Sequence, residues 1–130
     1  MSNPTDLKYT KTDEWIRVDG TTGTVGVTDY AQEQLSDVVY VEFTISEGET
    51  VKQGATCVSI ESVKAAADVA LPVSGKVIGV NNDLPENPEW VNRAPFEKAW
   101  MLKIELTDPS ELNSLMDSDA YETYLIERSH

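Results

Sequence analysis

The chain has 130 residues, 40% of them apolar, and its 10 basic and 23 acidic residues give a formal net charge of −13 at pH 7. This length and apolar content predict one soluble globular domain over residues 1–130. The charge argues against nucleic acids and anionic membranes as partners, because their binders need a basic face. One cysteine, Cys57, and one histidine, His130, exclude an intramolecular disulfide and leave no residues for a catalytic triad or a zinc site. We therefore expect no catalytic residues and no metal, as in a carrier or binding protein.

The apolar stretches of the chain are far too short to cross a bilayer. The first residues are neither basic nor apolar, so no signal or transit peptide is visible. We expect a cytoplasmic protein that is a monomer when isolated.

Short apolar segments separated by Gly and Pro turns run along most of the chain and predict a small β-sandwich or barrel. The strands are expected at 14–18, 24–27, 38–45, 57–60, 67–71, 76–80 and 100–106. In the third, alternation places Val39, Val41 and Phe43 on one face. Thr28 or Asp29 can cap a short helix that ends at Leu35. Residues 81–95 hold three prolines and predict a long loop.

The end of the chain has helical character. Asp108 can cap a helix, Pro109 suits its first position, and Glu111 is the third residue after the cap. An apolar stripe would pack this tail on the β core, and a second helix can start at Ser118. The stripe consists of Leu112, Leu115 and Met116. We expect a core of about 14–106 and a helical extension of about 108–128.

Lys64 lies between two strand segments and is followed by small residues, Ala65–Ala67. At a hairpin tip, small neighbours would leave its amine open to a modifying enzyme. The alternatives from the residues alone are an ordinary surface lysine and, since alanine favours helices, no hairpin at all.

The segment Glu61-Ser62-Val63-Lys64-Ala65 resembles the lipoylation motif of the glycine cleavage H-protein family. The likeness extends in family order from about Leu7 to Leu125. Its other blocks are 25–42, 72–77, 81–82, 100–104 and 108–112. The resemblance implies a mainly β fold, a barrel-sandwich hybrid of the lipoyl/biotinyl type. It would have a short internal helix, a C-terminal helical tail and the lysine at a hairpin tip.

The resemblance also implies a non-catalytic carrier with lipoate as its cofactor, held as an amide on Lys64. The arm would take an aminomethyl group from the pyridoxal-phosphate glycine decarboxylase (P protein) and deliver it to the aminomethyltransferase (T protein). Dihydrolipoamide dehydrogenase (L protein) would reoxidise it. A lipoate ligase or octanoyltransferase, with lipoyl synthase, would supply the lipoyl group. The charge of −13 fits docking on basic partner surfaces as well as it fits simple solubility.

The family motif assigns recognition by the lipoate-attaching enzymes to the residues around the lysine: Glu61, Ser62, Val63 and Ala65. The loaded arm ends in an amine, and carboxylates would suit a cleft that shelters it. Our candidates are Glu14, which precedes a tryptophan as in the family's His-Glu-Trp, and Asp68. Both could instead be solvated acids at strand edges. Asp13 stands where family members often have His, which could alter the cleft.

Five other functions stay open. A biotinyl carrier usually has methionines beside its lysine, whereas this chain has Val63 and Ala65. The lipoyl domains of α-keto-acid dehydrogenases show Asp before the lysine and belong to longer chains. An H-like relay that passes lipoate to other enzymes would share the motif. A Schiff-base enzyme needs a desolvated lysine, unlike a hairpin tip. An interaction domain with an unmodified lysine is the remaining alternative.

Overall fold

The computed structural model describes residues 3–128, which form nine β-strands, three α-helices and one 3-10 helix. The strands are β1 (Lys8–Tyr9), β2 (Glu14–Asp19), β3 (Thr22–Val27), β4 (Val38–Phe43), β5 (Thr50–Val51), β6 (Thr56–Ser62), β7 (Ala66–Ala70), β8 (Gly75–Val80) and β9 (Leu102–Leu106). The α-helices are α1 (Asp29–Leu35), α2 (Trp90–Arg93) and α3 (Ser118–Arg128), and the 3-10 helix is Pro109–Ser114. His130 lies outside the described residues. No helix within them is both long enough and apolar enough to cross a membrane.

The strands form two antiparallel sheets. One has six strands in the order β1-β2-β3-β9-β8-β5, and the other has three in the order β4-β6-β7. The predicted mainly β fold with an internal helix and a C-terminal helix is therefore confirmed. The two-residue strands β1 and β5 were not predicted, because two residues are too few to show an alternating pattern.

The main core collects the inward side chains of both sheets. Val25, Ile104 and Val77 come from the large sheet and Val41 and Ile60 from the small one, and each is at most 2% exposed. Their positions follow the period-two alternation of strands, which sends every second side chain to the same face. Burial of this alternating apolar set holds the two sheets together.

A second cluster attaches the ends of the chain to the large sheet. Tyr9, Trp15 and Tyr121 are fully buried, and the rings of Tyr9 and Tyr121 stack with centroids 4.7 Å apart. The indole N–H of Trp15 donates to the Pro95 carbonyl at 3.0 Å. Met116 also packs in this cluster, while Leu112 and Leu115 pack on the main core. The expected packing of the tail by its apolar stripe is confirmed.

Both predicted helix caps are present. Thr28 is the N-cap of α1, and its hydroxyl accepts the backbone N–H of Ala31 at 3.3 Å. Asp108 caps the next predicted helix by accepting the N–H of Ser110 at 3.2 Å. That element is a 3-10 helix, because its turns close over three residues.

Two predictions of local structure are wrong. Val39 was expected on the same face as Val41, but Val39 is 54% exposed, whereas Val41 is 2% exposed. The pairing of β4 with β6 shifts between Val38 and Tyr40, and this bulge turns Val39 outward. Residues 81–95 were expected to be a loop throughout, but α2 forms within them after Pro88. Proline is tolerated before the first turn of a helix, because no intrahelical hydrogen bond needs its N–H there.

Candidate functional site

The Lys64 hairpin has a short and well-closed tip. Strands β6 and β7 pair up to Glu61 and Ala66. The backbone N–H of Ser62 then donates to the Ala65 carbonyl at 2.8 Å. The Ser62 hydroxyl accepts the N–H of Ala65 at 3.0 Å and that of Lys64 at 3.4 Å. The strand pairing prevails over the helix propensity of the alanines, so the expected hairpin is confirmed.

The tip is also tied to the rest of the small sheet. The backbone N–H of Val63 donates to the Asp37 carbonyl, between α1 and β4, at 3.0 Å. Lys64 itself is exposed, and within residues 3–128 its ammonium makes no hydrogen bond or ion pair. The fold therefore fixes the backbone of Lys64 and leaves its amine in solvent.

A pocket of about 230 Å³ opens beside the end of β7 that is remote from the Lys64 tip. Segments from four parts of the chain line it: Tyr9–Thr12 and Glu14, Gln53–Gly54, Ala70–Pro72 and Ser114–Met116. Strand β7 runs between the two features, because its first residue follows the Lys64 tip and its last residue, Ala70, lines the pocket. The C-terminal tail supplies one wall, so the pocket depends on the docking of the tail.

Glu14 is the acidic group of this pocket. Its side chain is only 2% exposed, and its Oε1 accepts the hydroxyls of Thr10 and Thr12, both at 2.5 Å. Its Oε2 accepts the backbone N–H of Ala70 at 3.1 Å. Burial raises the pKa of the Glu14 carboxyl, and these three hydrogen bonds oppose the rise. A carboxylate has about four lone-pair sites, so Oε2 keeps one for an incoming donor.

Asp13, beside Glu14, turns away from the pocket. Its backbone is left-handed, with φ of 72°. Its Oδ1 accepts the Tyr121 hydroxyl at 2.8 Å and Nη1 of Arg128 at 2.6 Å. The Tyr121 hydroxyl lies 2.7 Å from that of Thr28, and the Arg128 guanidinium lies 4.6 Å from the centroid of the Tyr30 ring. This cluster fastens α3 to the turn that presents Glu14.

Asp68 is not part of the pocket. It is exposed on the outer face of the small sheet, where it accepts the Ser59 hydroxyl at 3.2 Å. The structure therefore separates the two acids that the sequence suggested as a pair. Glu14 is a buried group of the pocket, and Asp68 is a solvated residue of the strand that leads to it.

Cys57 is a core residue. It is fully buried, and its thiol donates to the Val69 carbonyl at 3.3 Å. Burial raises the pKa of the thiol to about 12, so almost no thiolate forms at neutral pH. Among the described residues, no group of histidine, cysteine or acidic side chains could hold a metal ion.

The comparison with known families decides the assignment. The family model described as glycine cleavage H-protein matches residues 7–128. The chain belongs to this family. The glycine cleavage system H protein of Staphylococcus haemolyticus is 47% identical over 121 residues, which cover 93% of this chain and 95% of that protein. The mitochondrial glycine cleavage system H protein 2 of Arabidopsis thaliana is 49% identical over 119 residues, or 92% of this chain and 76% of that protein.

A solved structure agrees with the family assignment. The crystal structure of a glycine cleavage system H protein from Mycobacterium marinum matches 98% of this chain and 100% of its own, with a TM-score of 0.84 and 28% identity. The predicted barrel-sandwich hybrid is thereby confirmed. The role supported is that of a lipoyl carrier in glycine cleavage, and the biotinyl-carrier and lipoyl-relay alternatives are not favoured.

Sequence reasoning missed two features of the site. The tip is anchored by a backbone hydrogen bond from Val63 to Asp37, and a backbone bond of this kind cannot be predicted from the residue types. The cluster of Asp13, Tyr121 and Arg128 joins residues more than 100 positions apart. The only local signal was Asp13 itself, since aspartate tolerates left-handed backbone better than most residues.

Proposed function

We propose that Lys64 is the residue on which this carrier holds lipoate, as an amide of its Nζ. The observation that carries this is an exposed lysine amine that has no partner among residues 3–128, at the tip of a fixed hairpin. Small neighbours, Ala65 and Ala66, leave room for an attaching enzyme to enclose the amine. When bound, lipoate supplies a disulfide whose sulfur can accept a group and pass it on.

The chain contributes position rather than catalysis to this scheme. Ser62 closes the turn and Asp37 holds it in place, so that the arm swings about a fixed point. A tethered arm keeps its end at a high effective concentration near a docked partner. No acid or base of this chain needs to act on the reacting atoms, which is why we propose a non-catalytic component.

The proposed partners are the enzymes that use and install the arm. They are the pyridoxal-phosphate glycine decarboxylase, the aminomethyltransferase, dihydrolipoamide dehydrogenase, and a lipoate ligase or octanoyltransferase with lipoyl synthase. The attaching enzymes would recognise three exposed residues, Glu61, Val63 and Ala65. They would also recognise the shape of the turn that Ser62 closes. We place this chemistry in the cytoplasm.

Glu14 is proposed to receive the amine end of the loaded arm. Its free Oε2 lone pair can accept an ammonium, and the enclosed position strengthens such a pair. The surrounding tail and Tyr9–Thr12 segment would limit the access of water to the loaded end. Asp68 enters the proposal only as a carboxylate along β7, between the tip and the pocket.

The proposal is tested by reconstituting glycine cleavage from the purified partner enzymes, tetrahydrofolate and NAD⁺. The lipoylated chain should support glycine-dependent release of carbon dioxide, and Lys64→Arg should support none. Lys76→Arg, at an exposed lysine on β8, is the matched control and should act like the unaltered chain. Full activity of Lys64→Arg would refute the assignment of the arm to this residue.

A further inference from the structure

Exposed apolar side chains gather beside the Lys64 tip. Among the described residues, five large apolar side chains are exposed, and three of them belong to this region: Val39 at 54%, Tyr40 at 46% and Val63 at 67%. Strand pairing brings them together, because Val38 pairs with Ser62 and Tyr40 pairs with Glu61. We call Val39, Tyr40 and Val63 the tip patch.

The backbone is arranged so that this patch stays outside the core. The bulge between Val38 and Tyr40 turns Val39 to solvent in a strand whose neighbour Val41 is buried. The Val63 N–H bond to Asp37 holds Val63 at the surface beside it. Val39 and Val63 leave most of their side chains in solvent, so they stabilise the isolated chain less than buried valines do. A grouped exposed apolar patch is typical of a contact surface.

Acidic residues border the patch on the outer face of the small sheet. Strands β4, β6 and β7 contain three acidic residues and no basic one. Glu42 pairs with Ser59, and Ser59 pairs with Asp68, so these two acids share one row. Glu61 lies in the next row, opposite Tyr40, whose hydroxyl donates to Glu42 at 3.1 Å. Acylation of Lys64 would also remove the one positive charge of the tip.

We propose that the outer face of the β4-β6-β7 sheet, centred on the tip patch, is the surface on which the pyridoxal-phosphate glycine decarboxylase docks to receive the arm. The partner surface is apolar at its centre, to cover Val39, Tyr40 and Val63, and basic at its rim, to meet Glu42, Glu61 and Asp68. An enzyme that takes an arm from Lys64 into its active site must contact the protein surface around that residue. The apolar centre of this face would contribute affinity, and its acidic rim would raise the rate of association with a basic partner surface. The inference rests on the proposed function.

The test uses the lipoylated chain, with its mass verified, as the variable substrate of the pyridoxal-phosphate glycine decarboxylase. The concentration of chain that gives the half-maximal rate reports docking, and the rate at saturation reports the chemistry. Tyr40→Ser should raise the half-saturating concentration about tenfold without lowering the maximal rate, as a central interface tyrosine does. Glu42→Gln should raise it less and should weaken its dependence on salt.

Matched controls lie on the other sheet. Ile78→Ser removes an exposed apolar side chain of β8, and Glu105→Gln removes an exposed charge of β9; both should leave docking unchanged. Val39→Ser repeats the patch test at a second position in case Tyr40→Ser unfolds. Unchanged half-saturation for both patch variants, with an active unaltered chain, overturns the docking surface alone. If the unaltered lipoylated chain supports no decarboxylation, the proposed function fails as well.

Discussion

Replacing Glu14 by glutamine should make the loaded arm hydrolyse faster while leaving the fold intact. The Glu14 carboxylate is buried in the lining of the pocket, and its Oε2 accepts one hydrogen bond, from Ala70, so it can accept another. A hydrogen bond that involves a charged partner contributes about 1.5–3 kcal/mol. Since 1.4 kcal/mol is a factor of ten, the loaded arm of Glu14→Gln should hydrolyse on the order of 10–100 times faster.

The fold should tolerate this change because the polar neighbours of Glu14 can adapt. The glutamine carbonyl can keep the N–H bond of Ala70, and the hydroxyls of Thr10 and Thr12 can rotate to accept from the new amide. Burial raises the pKa of Glu14, so its protonated form stabilises the fold below the unfolded pKa. That stability is lost as pH rises through the folded pKa. Urea unfolding at several pH values should therefore show that, as the pH increases, the free energy of unfolding of Glu14→Gln rises relative to that of the unaltered chain.

The assay loads the arm with glycine and the decarboxylase, removes the enzyme, and follows the release of formaldehyde and the return of free thiol. Asp68→Asn is the comparison, because a pair at an exposed carboxylate contributes at most about 1 kcal/mol, or roughly a fivefold change. Equal lifetimes of the loaded arm in Glu14→Gln and in the unaltered chain would refute the role of the pocket.

Three further predictions concern the scaffold. Asp13→Asn keeps the left-handed backbone but loses the charged bond to Arg128, so the free energy of unfolding in urea should fall by about 1–2 kcal/mol; no change would contradict the fastening role of the cluster. Gly75→Ala would place its Cβ 2.9 Å from a backbone carbonyl oxygen and should cost about 1–3 kcal/mol. Gly79→Ala would place its Cβ 3.9 Å from the Lys103 Cβ and should change stability by less than about 0.5 kcal/mol. Equal costs for the two glycine variants would refute the steric argument. Cys57 should resist a thiol reagent at pH 8 and react in urea; rapid reaction of the folded chain would contradict its burial and raised pKa.

Much of the fold could be predicted from the sequence because its signals are local. Alternation located the long strands, and Thr28 and Asp108 marked helix starts by their capping chemistry. The Lys64 motif indicated the hairpin, although the alanines after it favour a helix. In that case the pairing of β6 with β7 decided the structure, and the resemblance, rather than propensity, predicted it correctly.

The remaining features depend on contacts between distant segments. Val39 points outward because the register of β4 against β6 shifts, and register is a property of two strands. Glu14 is buried because Ala70 and the tail close over it, which no neighbouring residue reveals. The same sequence reasoning gave Glu14 and Asp68 equal weight, although one is enclosed and the other is solvated.

The central claim, a lipoyl arm on Lys64, is tested most directly by the intact mass of the chain purified from lipoate-replete cells, beside Lys64→Arg. The account predicts a lipoyl-sized increment on the unaltered chain, located on the peptide that contains Lys64 and absent from the variant. An increment that persists in Lys64→Arg would contradict the site. No increment, even after incubation with lipoate ligase, ATP and lipoate, would contradict the carrier mechanism itself.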